Sequence, residues 1–338
     1  MERSLTIMRR LIIVYLLLIV FFVIFVYQYQ SENENDQEFQ HDQLKGAIEE
    51  TYVMITYQSG MDYWKRQLKG FEDAAESLNV SVEYRGTTHY DTEEMIALVE
   101  QIIAKKPAGI AIAPINKTAI NTVINKATEA GIPVVLFDTD APESNADAFV
   151  GTDNYYAGSE AAHQLAEYVD FQGQVAVMKN KSSDQDRERV QGFKDAIEQN
   201  YPNIQLVHTG NGDGDETISK EAMMRIIEDF PELKGVFATE AASGIGVAQA
   251  IIGMERVGET KIISFNIDKP TIDFIDEGVI TGTLSQSFWG AGYWSMQLLF
   301  HLEHDLLLDN SGTVNIPKYV DTGINVITKE NVNNYYMY

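Results

Sequence analysis

The chain has 338 residues, 45% of them hydrophobic, enough to build about two domains of ~150 residues each. With 50 acidic against 25 basic residues the formal net charge is −25, and such a surface repels phosphate backbones and argues against nucleic-acid binding. There is no cysteine, which excludes disulfides, thiolate catalysis, iron–sulfur clusters, Cys-zinc sites and attachment through a lipidated cysteine.

Arg3, Arg9 and Arg10 precede an uninterrupted apolar run over 11–27. At about 17 residues the run is at the lower end of what spans a hydrocarbon core. Glu32, Glu34, Asp36 and Glu38 follow it. Positive charge stays in the cytoplasm, so the rest of the chain is expected outside. A cleaved signal peptide would need small residues at its cleavage site, whereas Val26-Tyr27-Gln28-Tyr29-Gln30 offers no Ala-x-Ala pattern. The expectation is a basic cytoplasmic segment (1–10), a transmembrane anchor (11–27) and a polar tether (28–50), giving a single-pass protein of the cell membrane.

From Tyr52 onward short β-rich runs alternate with helical patterns. Strands are predicted over 52–57, 81–85, 109–113 and 134–137, and helices over 64–78, 93–105 and 119–130. Trp64, Leu68, Phe71, Ala75 and Leu78 recur at helical spacing. Gly131 and Pro133 close the third helix. A second series starts near Gly151. Its predicted strands are 174–178, 204–209, 235–239, 261–265 and 281–285. Its predicted helices are 154–169, 186–199, 216–229, 243–256 and 271–277; a last helix, 290–303, precedes a tail. Alternating β and α units imply an α/β protein with parallel sheets covered on both faces, and there is too much of this for one sheet. Two doubly wound lobes are expected.

Several of these strands end in a residue able to exchange hydrogen bonds with hydroxyls: Asp138, Glu240, Asn266 and Gln286. In open α/β sheets ligands bind in the crevice at the carboxyl ends of the strands. Tyr57 ends the first strand, and Tyr63 and Trp64 follow in the next loop and first turn. Arg187, in Asp186-Arg187-Glu188-Arg189, opens the helix after 174–178. Hydroxyl-matching groups beside aromatic rings suit a sugar, which presents both polar hydroxyls and apolar C–H faces. Each residue also has a plainer reading. Trp64 fits a core position, Asp138 and Asn266 fit turn or N-cap roles, and Arg187 and Arg189 fit a solvated charged run or a structural salt bridge.

The segments "YWKRQLKGFEDAAESLNV" (63–80), "GIPVVLFDTDAP" (131–142), "DRERVQGF" (186–193), "GVFATEAASGIGVAQAI" (235–251), "IISFNID" (262–268) and "IDEGVITGTLSQ" (275–286) run in an order that resembles the ribose-binding-protein type of extracytoplasmic sugar-binding proteins, with the type I periplasmic-binding fold. The resemblance implies that Tyr63 and Trp64 sandwich the sugar and that Asp138, Arg187, Glu240, Asn266 and Gln286 bind its hydroxyls. It places Tyr57, Met61 and Thr139 in the same pocket. Thr139 stands where the family often has Arg, Glu240 where Asn is usual and Asn266 where Asp is usual, which points away from ribose itself. The resemblance further implies a three-crossing hinge between a first lobe (51–151 plus 287–321) and a second (152–286 plus 322–338), closing around the ligand.

The expected function is therefore a membrane-anchored sugar-binding protein, not an enzyme and without a cofactor, that presents a monosaccharide or related polyol to an ABC permease. A sensory subunit reporting to a membrane histidine kinase is the alternative. A glycoside-acting enzyme using Asp138 and Glu240 is a further one. Other signals carry less. The 210–215 loop lacks the Gly and Glu of a calcium loop, Gly244-Ile245-Gly246 lacks the rest of a dinucleotide fingerprint, and His301 with His304 reads as a surface pair rather than a zinc site.

Overall fold

The computed structural model describes Val20, Phe22 and residues 45–306 and 316–335. The anchor expected over 11–27 and most of the tether lie outside the described residues. Among those described, no helix is long and apolar enough to cross a membrane.

Among the described residues the strands form two six-stranded sheets. The first takes β1 (Thr51–Thr56), β2 (Ser81–Gly86), β3 (Gly109–Ile112), β4 (Val134–Phe137), β5 (Ala148–Gly151) and, from far along the chain, β11 (Tyr319–Asp321), in the order β11-β5-β4-β3-β1-β2. The second takes β6 (Gly173–Lys179), β7 (Ile204–Asn211), β8 (Leu233–Ala238), β9 (Lys261–Phe265), β10 (Gly282–Gln286) and β12 (Ile324–Thr328), in the order β12-β10-β9-β8-β6-β7. Among the described strands only β12 runs antiparallel to its neighbour, β10. The chain passes between the sheets after β5, after β10 and between β11 and β12.

Each sheet is buried on both faces, as parallel strands require. In β1, Tyr52 and Met54 enter one core cluster while Val53 and Ile55 enter the other. In β6, Val175 and Val177 face one cluster and Ala176 and Met178 the opposite one. The alternation sets which face each side chain buries, and the parallel direction of the strands puts their carboxyl ends, and hence the loops that follow them, on one rim of each sheet.

β5, β11 and β12 are not among the expected strands; β11 has little buried surface, and β11 and β12 are strands by pairing with β5 and β10, far away in sequence. The 210–215 stretch also differs from expectation: β7 runs on to Asn211, and Asp215 then caps a helix through its carboxylate and Ile218 N–H. His304 pairs with Glu50 at 2.8 Å, and among the described residues no cluster of metal-ligating side chains occurs.

The helices that carry the site are held by close helix–helix contact. In the first lobe, α1 (Lys65–Leu78) packs on the last helix (Phe288–Glu303), where Gly292 lies so close to the Gln67 carbonyl that a Cβ would overlap it. In the second lobe, the helix Asn154–Tyr168 packs on the helix Asp184–Asn200, where Gly192 meets the Tyr155 carbonyl in the same way.

Candidate functional site

The first lobe brings an acid and a phenol together at the rim. β4 ends at Phe137, and Asp138 follows in a left-handed conformation (φ 64°), which turns its carboxylate toward the gap between the lobes. The Tyr63 hydroxyl donates a short hydrogen bond to Asp138 Oδ1, and the Thr139 hydroxyl donates to Oδ2 at 3.3 Å. Burial pushes the Asp138 carboxyl above its ordinary value, opposed by these hydrogen bonds and by the positive charge of Arg189. Burial and Asp138 likewise push the Tyr63 and Tyr57 phenols up, so both stay protonated donors.

Trp64 is a correction to the expected sandwich. It is 1% exposed and sits in the core, with its ring edge-on to Tyr57, Tyr63 and Phe137. Its indole N–H donates to the Tyr57 carbonyl at 2.7 Å. Trp64 thus presents no face to a ligand; it braces the two tyrosines that flank it. Its helical spacing with Phe71 and Leu78 is the spacing of a core stripe.

The second lobe supplies the guanidinium, and here too the expectation needs correction. Arg187 is exposed and engages Asp184, three residues earlier on its own helix. Arg189 is the buried arginine, 3% exposed. Its Nη1 donates to the Thr239 carbonyl at 2.8 Å and its Nε to Asn154 Oδ1 at 2.9 Å. Its guanidinium lies 3.6 Å over the Phe265 ring and 3.6 Å from Asp186 Oδ1. Asp186 is itself fixed by the Asn180 N–H at 2.9 Å and the Thr239 hydroxyl at 2.5 Å. The ends of β8 and β9 thus meet Arg189 directly, and the end of β6 reaches it through Asp186. Burial lowers its proton affinity; Asp186 opposes that most, followed by Tyr63 and Asp138 of the other lobe and then Glu240. An arginine stays charged regardless.

Arg189 lies one helical turn before Phe193, which is fully buried, and one turn after buried Asp186. Helical periodicity anchored on Phe193 selects position 189 and leaves 187 on the outer face. That signal was present in the sequence.

Glu240 has a structural task. Its carboxylate accepts from the backbone N–H groups of Ala242 and Ser243 at 2.9 and 2.8 Å, and from the Ser243 hydroxyl, as the N-cap of the helix Ala241–Gly253. Burial still pushes its carboxyl upward. Asn266 adopts φ 69° and accepts from Gln286 Nε2 at 2.9 Å, while Asp268 caps the helix that follows.

Three cavities are lined by residues of both lobes. One of 660 Å³ is lined by Tyr57, Tyr90, Asn116 and Thr139 from the first lobe and by Asn180 and Gln185 from the second. One of 330 Å³ is lined by Asp138, Thr139, Asn154 and Gln185 among others. A third, of 580 Å³, reaches Gln286 and Phe288 beside the middle crossing. All fall in the range of small-molecule sites. Of the expected sugar-binding residues, Tyr57, Asp138, Thr139 and Gln286 line these cavities; exposed Met61 does not, nor do Tyr63, Trp64, Arg187, Glu240 and Asn266, and Arg189 lies behind them. Gln185, Tyr90, Asn116 and Asp186 went unpredicted because they sit in loops or a helix start with no distinguishing local pattern.

Two parallel-sheet lobes with acids, amides and phenols lining the gap between them, and a buried guanidinium behind it, define a periplasmic-type binding protein. The chain belongs to that family: the periplasmic binding protein domain matches residues 52–304. It is 51% identical to a solved sugar ABC transporter sugar-binding protein from Bacillus halodurans (TM-score 0.82; 85% of this chain, 100% of that one). It is 53% identical to AraP, an arabinose-binding protein from Geobacillus stearothermophilus (TM-score 0.81; 85% of this chain, 99% of that one). A chain from a XylFII–LytSN complex is 28% identical (TM-score 0.69; 84% and 99% covered). The class is thus that of sugar-binding, non-enzymatic components of ABC-type uptake, and the resemblance to the ribose-binding type holds.

Proposed function

We propose that this protein binds a monosaccharide between its lobes outside the cell and presents it to an ABC importer. The cavities between the lobes carry the reading: they are lined by Tyr57, Tyr90, Asp138 and Thr139 of one lobe and by Asn154, Asn180 and Gln185 of the other. A carboxylate, phenols, a hydroxyl and side-chain amides lining one gap match the donors and acceptors of adjacent sugar hydroxyls. Such contacts are complete only when the lobes are closed, so ligand shifts the population toward the closed form. The likeness to an arabinose-binding protein supports an aldopentose of the arabinose class.

Calorimetry of the domain from residue 45 onward against arabinose, xylose, ribose, glucose and galactose tests this. Tightest binding of an aldopentose is expected, and heat of binding to no sugar in the panel sinks the proposal. The apolar run over 11–27, preceded by three arginines, supports an uncleaved membrane anchor. Fractionation of cells expressing the full chain checks that: the protein is expected in the membrane pellet and accessible to external protease, and recovery of a shortened, freely released chain counts against it.

The likeness to a chain solved within the XylFII–LytSN complex favours a second output, in which the sugar-bound form reports to a membrane histidine kinase. Co-purification of tagged full-length protein with permease or with kinase, in the presence of sugar, separates the two.

A further inference from the structure

Two contacts cross the gap between the lobes without belonging to the sugar-binding set. Lys117, in the loop after β3, places Nζ 3.3 Å from Oδ2 of Asp184, the first residue of the helix that carries Arg189. The next residue, Gln185, donates from Nε2 to the backbone carbonyl of Asp138 at 3.0 Å. Lys117 and Gln185 each line both the 660 Å³ and the 330 Å³ cavity, so the bridge stands between them as a strut.

From this geometry we propose that Lys117, Asp184 and Gln185 form a latch that sets how long the closed state lasts. The proposal rests on the sugar-binding reading of the same cleft. Each charge keeps a companion in its own lobe. Asp184 is paired with Arg187, and Lys117 lies close enough to Asp140 to act on its carboxyl. Opening therefore strips neither charge of compensation, and closing adds one cross-lobe attraction to two that already exist. Arg187 holds the Asp184 carboxylate in place for Lys117. The lysine and aspartate side chains are 34% and 38% exposed, so the pair is worth what partly solvated pairs are worth and is sensitive to salt. A latch of this size tunes the dissociation rate without locking the cleft. The Gln185 bond adds direction, because its acceptor is the backbone of the residue whose carboxylate meets Tyr63.

The test is a double-mutant cycle with Lys117→Met and Asp184→Asn. Each variant is expected to speed arabinose dissociation about two- to five-fold at low salt, the double variant no more than either single, and all differences to vanish in about 1 M NaCl. Equal dissociation rates in wild type and both variants at low salt, or effects that add in the double variant, overturn the latch. A second readout needs no sugar. The chain has no native cysteine, so spin labels on Glu129→Cys and Gln199→Cys, one exposed position per lobe, report the interlobe distance cleanly. In sugar-free protein a smaller closed fraction is expected for Lys117→Met than for wild type. An identical distance distribution refutes the latch. A wild-type protein that binds no sugar in the panel removes the sugar reading while leaving this distance test intact.

Discussion

The two lobes share one construction and spend it differently. Each has a six-stranded sheet buried on both faces and a glycine-mediated helix contact beneath the site. The first lobe places its functional groups on strand-exit loops: Asp138 directly after β4, and Tyr63 in the turn after β1. The second places its principal group, Arg189, on the inner face of a helix, held by Asn154, Asp186, Thr239 and Phe265. A phenol and a carboxylate at a rim need little more than each other. A buried guanidinium needs a full set of acceptors and a counter-charge, because an unpaired buried charge is among the costliest groups a protein can carry.

The largest expected effect probes the core of the first lobe. Trp64→Ala removes a fully buried indole and should cost about 3–5 kcal/mol of stability in denaturant titrations. A loss confined to sugar affinity, with stability unchanged, would restore Trp64 to the ligand face. Next comes the second lobe. Arg189→Ala should weaken sugar binding by about 2–5 kcal/mol and also destabilise the fold, because Asp186 is left buried and uncompensated. Arg187→Ala should change affinity by no more than the latch contributes. The reverse ranking in calorimetry would undo the assignment of the site to the inner face of the helix.

A smaller effect tests the shared construction. Gly192→Ala and Gly292→Ala each force apart a pair of site-bearing helices and should cost about 1–3 kcal/mol by thermal denaturation. If one lobe tolerates its substitution freely, the two are not built alike.

The smallest effect concerns Asp138 and pH. Its carboxyl is raised in the folded protein, chiefly by burial. Such a group contributes stability that is fully present below its unfolded value, ~3.9, and is lost as pH rises through the raised folded value. The sugar-free protein should therefore gain stability from Asp138 on mild acidification, whereas sugar affinity should fall over the same range as the acceptor is protonated. Asp138→Asn should flatten both trends. Trends that survive the substitution assign them to another group, with Glu240, also raised by burial, the next to examine.

Much of the fold was legible locally. Apolar runs of strand length between helical patterns report a parallel sheet, because both faces of each strand are buried and the pattern needs no partner to be recognised. β11 and β12 escaped that reading because their strand state depends on pairing with β5 and β10, residues far away in sequence. Strand-exit residues such as Asp138 and Tyr57 were visible because a strand end is a local event.

The sequence by itself determined the strand–helix rhythm, the acidic surface, the absence of thiol chemistry and the rim positions of the polar residues. Only the tertiary structure decided what surrounds and pairs with Arg189, that Trp64 is core, that Glu240 caps a helix, and that Lys117 reaches Asp184. The physical reason is that burial and charge pairing are properties of surroundings. Arg187 and Arg189 stand two residues apart on a charged helix start; periodicity puts them on different faces, but only the packing of a neighbouring helix and the nearby strand ends makes Arg189 a buried cation and leaves Arg187 in water.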